Sequence, residues 1–142
     1  MPSGRCGSLA ELPPVLGAVV AGARRAVLAT LDAEGRPHAV PITFAVTEGA
    51  IVTAIDQKPK GNRRPARLRN IERMPFASVL FDHYEDDWRH LAWVLARGPA
   101  RVEPPGTRVD ALIERYEQYA ADPPRGEVIV VEPTVVLWWS YE

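Results

Sequence analysis

The chain has 142 residues, of which 46% are hydrophobic and 25% charged, values typical of one globular domain that exclude a wholly disordered chain. The formal net charge of −1 excludes a globally basic nucleic-acid-binding protein, and a single cysteine excludes an intramolecular disulfide and a cysteine-based zinc site. No apolar run approaches the roughly 20 residues that span a bilayer, and the first residues lack the apolar core of a secretory signal, so we expect a cytoplasmic protein.

The first part of the chain is predicted to form one helix and three strands. Apolar side chains at helical spacing predict a helix over residues 13–23, where a proline is tolerated in the first turn. Short apolar runs separated by Asp-Ala-Glu-Gly and Thr-Glu-Gly turns then predict an antiparallel meander. Its strands cover residues 26–31, 38–46 and 50–55.

The remainder is predicted to add two helices and three strands. One helix opens at Pro65 and the other covers residues 107–119. The strands cover residues 76–81, residues 90–102 with a bend at Gly98-Pro99, and residues 128–139 with an interruption at Pro133. Six antiparallel strands with three flanking helices favour a closed barrel, because closure removes exposed strand edges. We expect a single domain over residues 1–142, with a helical region at 1–23 and the barrel at 24–142.

Motifs for common catalytic chemistries are missing from the sequence. It contains no nucleophile elbow, no phosphate-binding loop of the Gly-x-x-x-x-Gly-Lys type and no Gly-x-Gly-x-x-Gly fingerprint. A metal site could be formed by His83 with Asp82, Glu85, Asp86 and Asp87. Adjacent acids at a loop tip are more typical of a solvated surface, so we predict no metal. Cys6 lies in a terminus that we expect to be flexible. If the protein is an enzyme, its reactive atoms belong to a cofactor.

Positive charge is concentrated in residues 58–73. This segment carries seven cations against one anion, Glu72, for a net charge of +6, whereas the other 126 residues sum to −7. A solvated basic helix face explains Arg69 and Arg73, but lysines just before a helix N-terminus are suited to binding phosphate. The candidate phosphate ligands are Lys58, Lys60, Arg63, Arg64 and Arg67.

Nucleic acid is the alternative ligand for such a basic segment. Proteins that bind single strands add exposed aromatic residues on which bases stack, and residues 58–73 contain none. The rest of the chain is acidic. We therefore expect a phosphate-bearing small molecule and no nucleic acid.

The order of these segments resembles a known family. Residues 27–31, 35–38 and 40–44 resemble the first hairpin of the pyridoxamine-phosphate-oxidase-like, FMN-binding split barrels. The basic loop, the helix ending at residues 68–71 and the strand at residues 77–82 continue the resemblance, which covers about residues 24–139. Within the family, the sequence is most similar to actinobacterial enzymes described as probable F420-dependent oxidoreductases.

The resemblance implies a six-stranded antiparallel split β-barrel that forms a homodimer with two cofactor sites at its interface. In the family, strands two and three and the loop after them hold the cofactor, and the partner subunit contributes aromatic residues. Carried over to this sequence, the resemblance adds Pro41, Ile42, Thr43, Thr53, Ala54, Ile55, Trp88 and Trp138 to the five loop and helix cations.

The function implied is a reductase that uses the deazaflavin coenzyme F420 to transfer hydride to a conjugated organic substrate. Thr43 and Thr53 are candidates for orienting the cofactor by hydrogen bonds. Seven cations exceed what one FMN phosphate requires, which favours F420. An FMN-dependent oxidase or reductase of the same fold is the alternative enzyme, and a non-catalytic flavin or deazaflavin carrier is the alternative from another class.

Overall fold

The computed structural model describes residues 2–57 and 64–142. The described residues form four α-helices: α1 (Pro14–Gly22), α2 (Ala66–Arg73), α3 (Asp110–Arg115) and α4 (Glu117–Ala121). Short 3-10 helices cover Leu9–Glu11 and Trp88–His90. The strands are β1 (Ser3–Cys6), β2 (Ala26–Leu31), β3 (Pro37–Ile42), β4 (Ala45–Thr47), β5 (Ala50–Ala54), β6 (Phe76–His83), β7 (Ala92–Glu103), β8 (Val128–Val131) and β9 (Val135–Ser140).

All strand pairs are antiparallel, and the sheet follows the order β3-β2-β6-β7-β8-β5-β4. Strand β9 pairs with the first half of β7, and β1 pairs with β9. The mainly β, antiparallel prediction is therefore confirmed. The number of six strands is wrong, since the described residues form nine. Within the described residues no ladder joins β3 to β4, so the sheet is open and not a hydrogen-bonded closed barrel.

Strand β7 changes its partner at Gly98, where the sequence predicted a bend. Residues before Gly98 pair with β9, and residues after it pair with β8. The connection from β8 to β9 passes directly over Gly98, because a Cβ added there would lie 2.1 Å from the carbonyl oxygen of Glu132. The strand predicted over residues 128–139 is therefore two strands, since its two ends pair with different parts of β7.

Three further expectations are corrected. The strand predicted over residues 38–46 divides into β3 and β4 at Thr43 and Phe44. The helix predicted over residues 107–119 divides at Tyr116, whose extended backbone ends α3 before α4 begins. The terminus holding Cys6 is strand β1, with Cys6 opposite Val136. The helix predicted over residues 13–23 is confirmed as α1.

The core has two parts, one on each side of β5 and β8. In β5, Ile51 faces the larger cluster beneath α1 and α2, while Val52 faces a smaller cluster beneath α3 and α4. Both strands are consequently buried at every position. In contrast, β2 alternates between buried and more exposed residues, because none of the described elements covers its outer face. Among the described residues, no helix is long and apolar enough to cross a membrane.

Candidate functional site

A cavity of about 180 Å³ lies where β3 and β5 end, beside α2 and α4. The β4–β5 hairpin pairs Ala45 with Val52, so the residues just beyond this ladder on either strand face the cavity together. Helix α2 supplies one wall and α4 another. The lining residues are Arg25, Pro41, Ile42, Thr43, Thr53, Ala54, Asp56, Arg67 and Tyr119.

Six residues predicted to bind the cofactor lie together in this cavity, although they come from β3, the bend after it, β5 and α2. They are Pro41, Ile42, Thr43, Thr53, Ala54 and Arg67. Their role in binding stays a prediction. Sequence reasoning missed Arg25, which precedes β2, Asp56, which follows β5, and Tyr119, which it gave only as the last residue of the helix over residues 107–119.

A chain of polar side chains crosses the cavity wall. The Thr43 hydroxyl lies 2.8 Å from the Tyr119 hydroxyl, which donates to a carboxylate oxygen of Asp56 at 3.2 Å. Tyr119 is 8% exposed and its ring packs edge-on against Tyr116, with 5.6 Å between the ring centroids. The phenol is therefore held in one orientation by packing and by hydrogen bonds.

Tyr116 fixes the bend between β3 and β4 that places Thr43 in the cavity. Its hydroxyl accepts a hydrogen bond from the backbone N–H of Phe44 at 3.1 Å and donates to the backbone carbonyl of Arg24 at 3.0 Å. The guanidinium of Arg115 lies 4.6 Å from the centroid of the Phe44 ring and donates to the carbonyl of Ala23. Residues distant in sequence thus hold the bend.

Arg67 presents a half-buried positive charge to the cavity. Burial holds the pKa of its guanidinium below its ordinary value, while the charges of Asp56 and Tyr119 oppose that shift. Its Nε is buried and has no hydrogen-bond partner among the described residues. A buried donor without a partner is costly. An anionic ligand would supply both the missing acceptor and the compensating charge, so the residues present fit the phosphate or carboxylate of an acidic cofactor.

Arg64, predicted to share the phosphate site, has a different environment. Its guanidinium binds the carboxylates of Glu72 and Glu127, whose hydrogen bonds raise its pKa above the ordinary value. Beside it, the backbone N–H of Ile55 donates to the carbonyl of Glu127 at 2.9 Å. Neither Arg64 nor Ile55 lines the cavity as the structure describes it, and we leave both out of the proposed site.

The two tryptophans predicted to come from a partner subunit also lie outside this cavity. Trp88 is 68% exposed on a 3-10 helix, and Trp138 faces the interior side of β9, where its indole covers Gly4. Three predicted cations fall outside the residues that the structure describes, so their part in the site stays a prediction. They are Lys58, Lys60 and Arg63.

Between β6 and β7, Glu85, Asp87 and His90 bring ligand atoms within 4.8 Å of one another. Hydrogen bonds from His90 and His83 lower the pKa of Glu85, and Glu85 in turn raises the pKa of His90. Both oxygens of Asp87 accept from Arg89. These exposed groups therefore neutralise one another, and the prediction that the protein has no metal stays a prediction.

Comparison with known proteins identifies the family. Residues 12–140 match the pyridoxamine 5'-phosphate oxidase family. The chain belongs to this family. The match confirms the family-level resemblance in the sequence and extends it to α1. No curated protein sequence matches the chain.

Solved members of this fold have varied descriptions. A conserved hypothetical protein from Mycobacterium tuberculosis is 19% identical with a TM-score of 0.68, over 87% of this chain and 81% of that one. A heme binding protein from Mycobacterium smegmatis is 25% identical with a TM-score of 0.66, over 85% of this chain and 50% of that one. The heme storage protein HutZ from Vibrio cholerae is 16% identical with a TM-score of 0.65, over 82% and 86%.

Proposed function

We propose that this family member is an F420-dependent reductase that binds the coenzyme at the cavity between β3 and β5 and reduces a conjugated organic substrate. The observation that supports the proposal most is the buried Nε of Arg67, which lacks an acceptor among the described residues at the wall of that cavity. Arg25 adds a second positive charge at the same wall.

The cofactor's needs match the chain's residues in three respects. Arg67 and Arg25 would hold anionic groups of the tail, with the segment around Lys58 and Lys60 extending the positive potential. Thr43 and Thr53 would orient the ring or its linker by hydrogen bonds. Pro41 and Ile42 would exclude water from one side. When bound, the reduced deazaflavin supplies a hydride, so no side chain need act as a nucleophile.

The choice of F420 over FMN depends on charge. An FMN carries one phosphate, whereas the F420 tail carries a phosphodiester and carboxylates. Arg64 is paired with two carboxylates, which reduces the cations available to a ligand. Arg69 and Arg73 also donate to protein acceptors. The four other cations in residues 58–73 are Lys58, Lys60, Arg63 and Arg67, still more than one phosphate requires.

The proposed active form is a homodimer. A row of apolar side chains crosses the outer face of four strands in register, from Val27 to Leu80, Leu95 and Leu137, with Trp93 opposite Trp139 beside it. No element among the described residues covers this face. An isologous contact with a second copy would bury it and would also enlarge a cavity that is small beside the roughly 300–1,000 Å³ of cofactor pockets. Sedimentation that shows a monomer at micromolar concentration would contradict this assembly.

The cofactor assignment is tested by titrating the protein with F420, FMN, pyridoxal 5'-phosphate and hemin, with binding read from tryptophan fluorescence and from ligand absorbance. We expect F420 to bind most tightly and salt to weaken its binding, because the tail contacts are electrostatic. FMN that copurifies with the protein and resists displacement by F420 would overturn the choice of cofactor.

A non-catalytic carrier is the second candidate, and the names of two structural relatives favour it. One is a heme binding protein and the other a heme storage protein. A carrier would bind hemin with a shifted Soret band, or would bind F420 without turnover on any acceptor. Oxidation of bound, reduced F420 by a conjugated carbonyl compound would exclude the carrier.

A further inference from the structure

Two neighbouring tyrosines use their hydroxyl protons differently. Tyr116 donates to the backbone carbonyl of Arg24 at 3.0 Å, and a carbonyl of that kind has no proton to return. Tyr119 donates to the carboxylate of Asp56 at 3.2 Å, a group that both accepts and releases protons. Both rings are almost fully buried, yet only Tyr119 lines the candidate cavity. The proton of Tyr119 is therefore part of a chain that can be refilled.

Two neighbours of Tyr119 would stabilise the phenolate that proton loss would leave, whereas burial and the Asp56 carboxylate oppose it. The Thr43 hydroxyl, 2.8 Å away, is placed to donate to the phenol oxygen while Tyr119 donates to Asp56. The guanidinium of Arg67 interacts electrostatically with both Tyr119 and Asp56. A hydrogen-bond donor and a cation near an acid both stabilise its charged form.

A two-electron reduction of a conjugated carbonyl compound needs a proton donor as well as a hydride. We infer that Tyr119 is a catalytic residue that delivers this proton from its Oη, with Asp56 restoring it and Thr43 positioning it, an inference that rests on the proposed function. It assigns the substrate class as α,β-unsaturated ketones or aldehydes small enough to reach the cavity wall.

The step balances for 2-methylcyclohex-2-enone, the simplest probe. Hydride forms the new C3–H bond, the C2–C3 π electron pair moves to C2, and the proton of Tyr119 Oη forms the new C2–H bond. The product is 2-methylcyclohexanone, with a stereocentre at C2. The half-buried Asp56 carboxylate takes up a proton from solvent and passes it to the phenolate, which restores the Tyr119 hydroxyl.

The test compares Tyr119→Phe with Tyr141→Phe in the full chain, using F420 binding, turnover of the enone and the enantiomeric excess at C2. For Tyr119→Phe we expect an unchanged dissociation constant for F420, a turnover reduced by about 100-fold or more, and loss of enantiomeric excess because solvent then protonates C2. Tyr141→Phe keeps the enantiomeric excess, since Tyr141 is 38% exposed and does not line the candidate cavity.

The possible failures are distinguishable. Wild type that does not bind F420 overturns the proposed function and this inference with it. Wild type that binds F420 but does not reduce 2-methylcyclohexenone, cyclohexenone or cinnamaldehyde overturns the inference and leaves the cofactor assignment standing. A Tyr119→Phe variant that keeps both turnover and enantiomeric excess removes Tyr119 as the proton donor. If the variant fails to fold, Asp56→Asn provides the second test, with turnover and its pH profile expected to change and F420 binding retained.

Discussion

The hydroxyl of Tyr116 and the backbone N–H of Phe44 form a 3.1 Å hydrogen bond between residues 72 positions apart. This bond links the break between α3 and α4 to the bend between β3 and β4. Phe44 is fully buried and packs edge-on against Phe81 at 4.9 Å, so its N–H has no access to water. A polar group at such a position depends on the hydrogen-bond partner that the protein provides, here the Tyr116 hydroxyl.

Replacing that partner should therefore destabilise the fold. We expect Tyr116→Phe to lower the free energy of unfolding by about 1–3 kcal/mol, because the Phe44 N–H and the Arg24 carbonyl both lose a partner. Urea unfolding measures the change. Tyr141→Phe is the control, since Tyr141 is 38% exposed and the expected change is within about 0.5 kcal/mol. Equal stability of the two variants would show that water replaces the Tyr116 hydroxyl.

Gly98 and Gly17 offer a matched pair of alanine substitutions. Gly98→Ala should destabilise the protein by about 1–3 kcal/mol or more, because its Cβ would lie 2.1 Å from the Glu132 carbonyl oxygen. Gly17→Ala should stabilise it by about 0.5–1 kcal/mol, because Gly17 lies inside α1 and no other described element comes within 4 Å of its added Cβ. Thermal unfolding separates the two, and equal midpoints would contradict the close approach at Gly98.

Substitution of Arg67 should weaken cofactor binding, whereas substitution of Arg64 should lower thermal stability. Arg67→Met should weaken F420 binding by about tenfold or more, because one charge-assisted contact contributes about 1.5–3 kcal/mol. Arg64→Met should leave the dissociation constant nearly unchanged and lower the thermal midpoint, because its carboxylate partners are Glu72 and Glu127. Fluorescence titration and thermal unfolding of both variants are the measurements. Weaker binding by Arg64→Met alone would return Arg64 to the site.

The ion pair between Glu85 and His90 should make the loop between β6 and β7 sensitive to pH. The pKa of His90 is raised above 6.5, so its contribution to stability is complete below that pH and is lost as pH rises through the higher, folded value. The pKa of Glu85 is lowered below 4.5, so its contribution is present above that pH and is lost as pH falls through the lower, folded value. The pair is therefore fully formed between about pH 4.5 and 6.5.

An NMR titration of the His90 ring protons tests this pairing. Glu85→Gln should move the His90 midpoint to lower pH, because the substitution removes the carboxylate that stabilises the imidazolium. Glu34→Gln, in the turn between β2 and β3, serves as the control and should leave the midpoint where it is. A midpoint unaffected by Glu85→Gln would mean that the hydrogen bond does not persist in solution.

Local patterns in the sequence predicted the secondary structure correctly wherever that structure depends on residues close together in the chain. The short apolar run over residues 26–31 corresponds to β2, and the helical spacing over residues 13–23 corresponds to α1. The same patterns failed at Thr43 and Tyr116, where the breaks depend on hydrogen bonds to residues 72–76 positions away. Strand β1 was missed because its pairing with β9 depends on the far end of the chain.

In the candidate site, too, some residues could be predicted from the sequence and others depend on distant contacts. The resemblance to the family indicated the threonines and the apolar residues of β3 and β5, which lie side by side in the cavity. The resemblance predicted the same role for Arg67, which lines the cavity, and for Arg64, which does not. Arg64 instead binds the carboxylate of Glu127, which is 63 positions away in the sequence and could not be paired with it from local pattern. Tyr119 carried no signal of its own, because a tyrosine at helical spacing is typical of an ordinary core residue.

The pairing of Ser3 with Trp139 has a consequence for synthesis on the ribosome. Strands β2 and β3 meet across a short turn and can pair soon after they emerge, whereas Ser3–Cys6 must wait until β9 has left the exit tunnel. Until β9 emerges, Gly4 is not covered by the Trp138 indole. Until β1 then pairs with β9, the outer edge of β9 has no strand partner. We therefore expect nascent chains truncated before Val135 to expose their first residues to protease, and this edge to acquire hydrogen-exchange protection last.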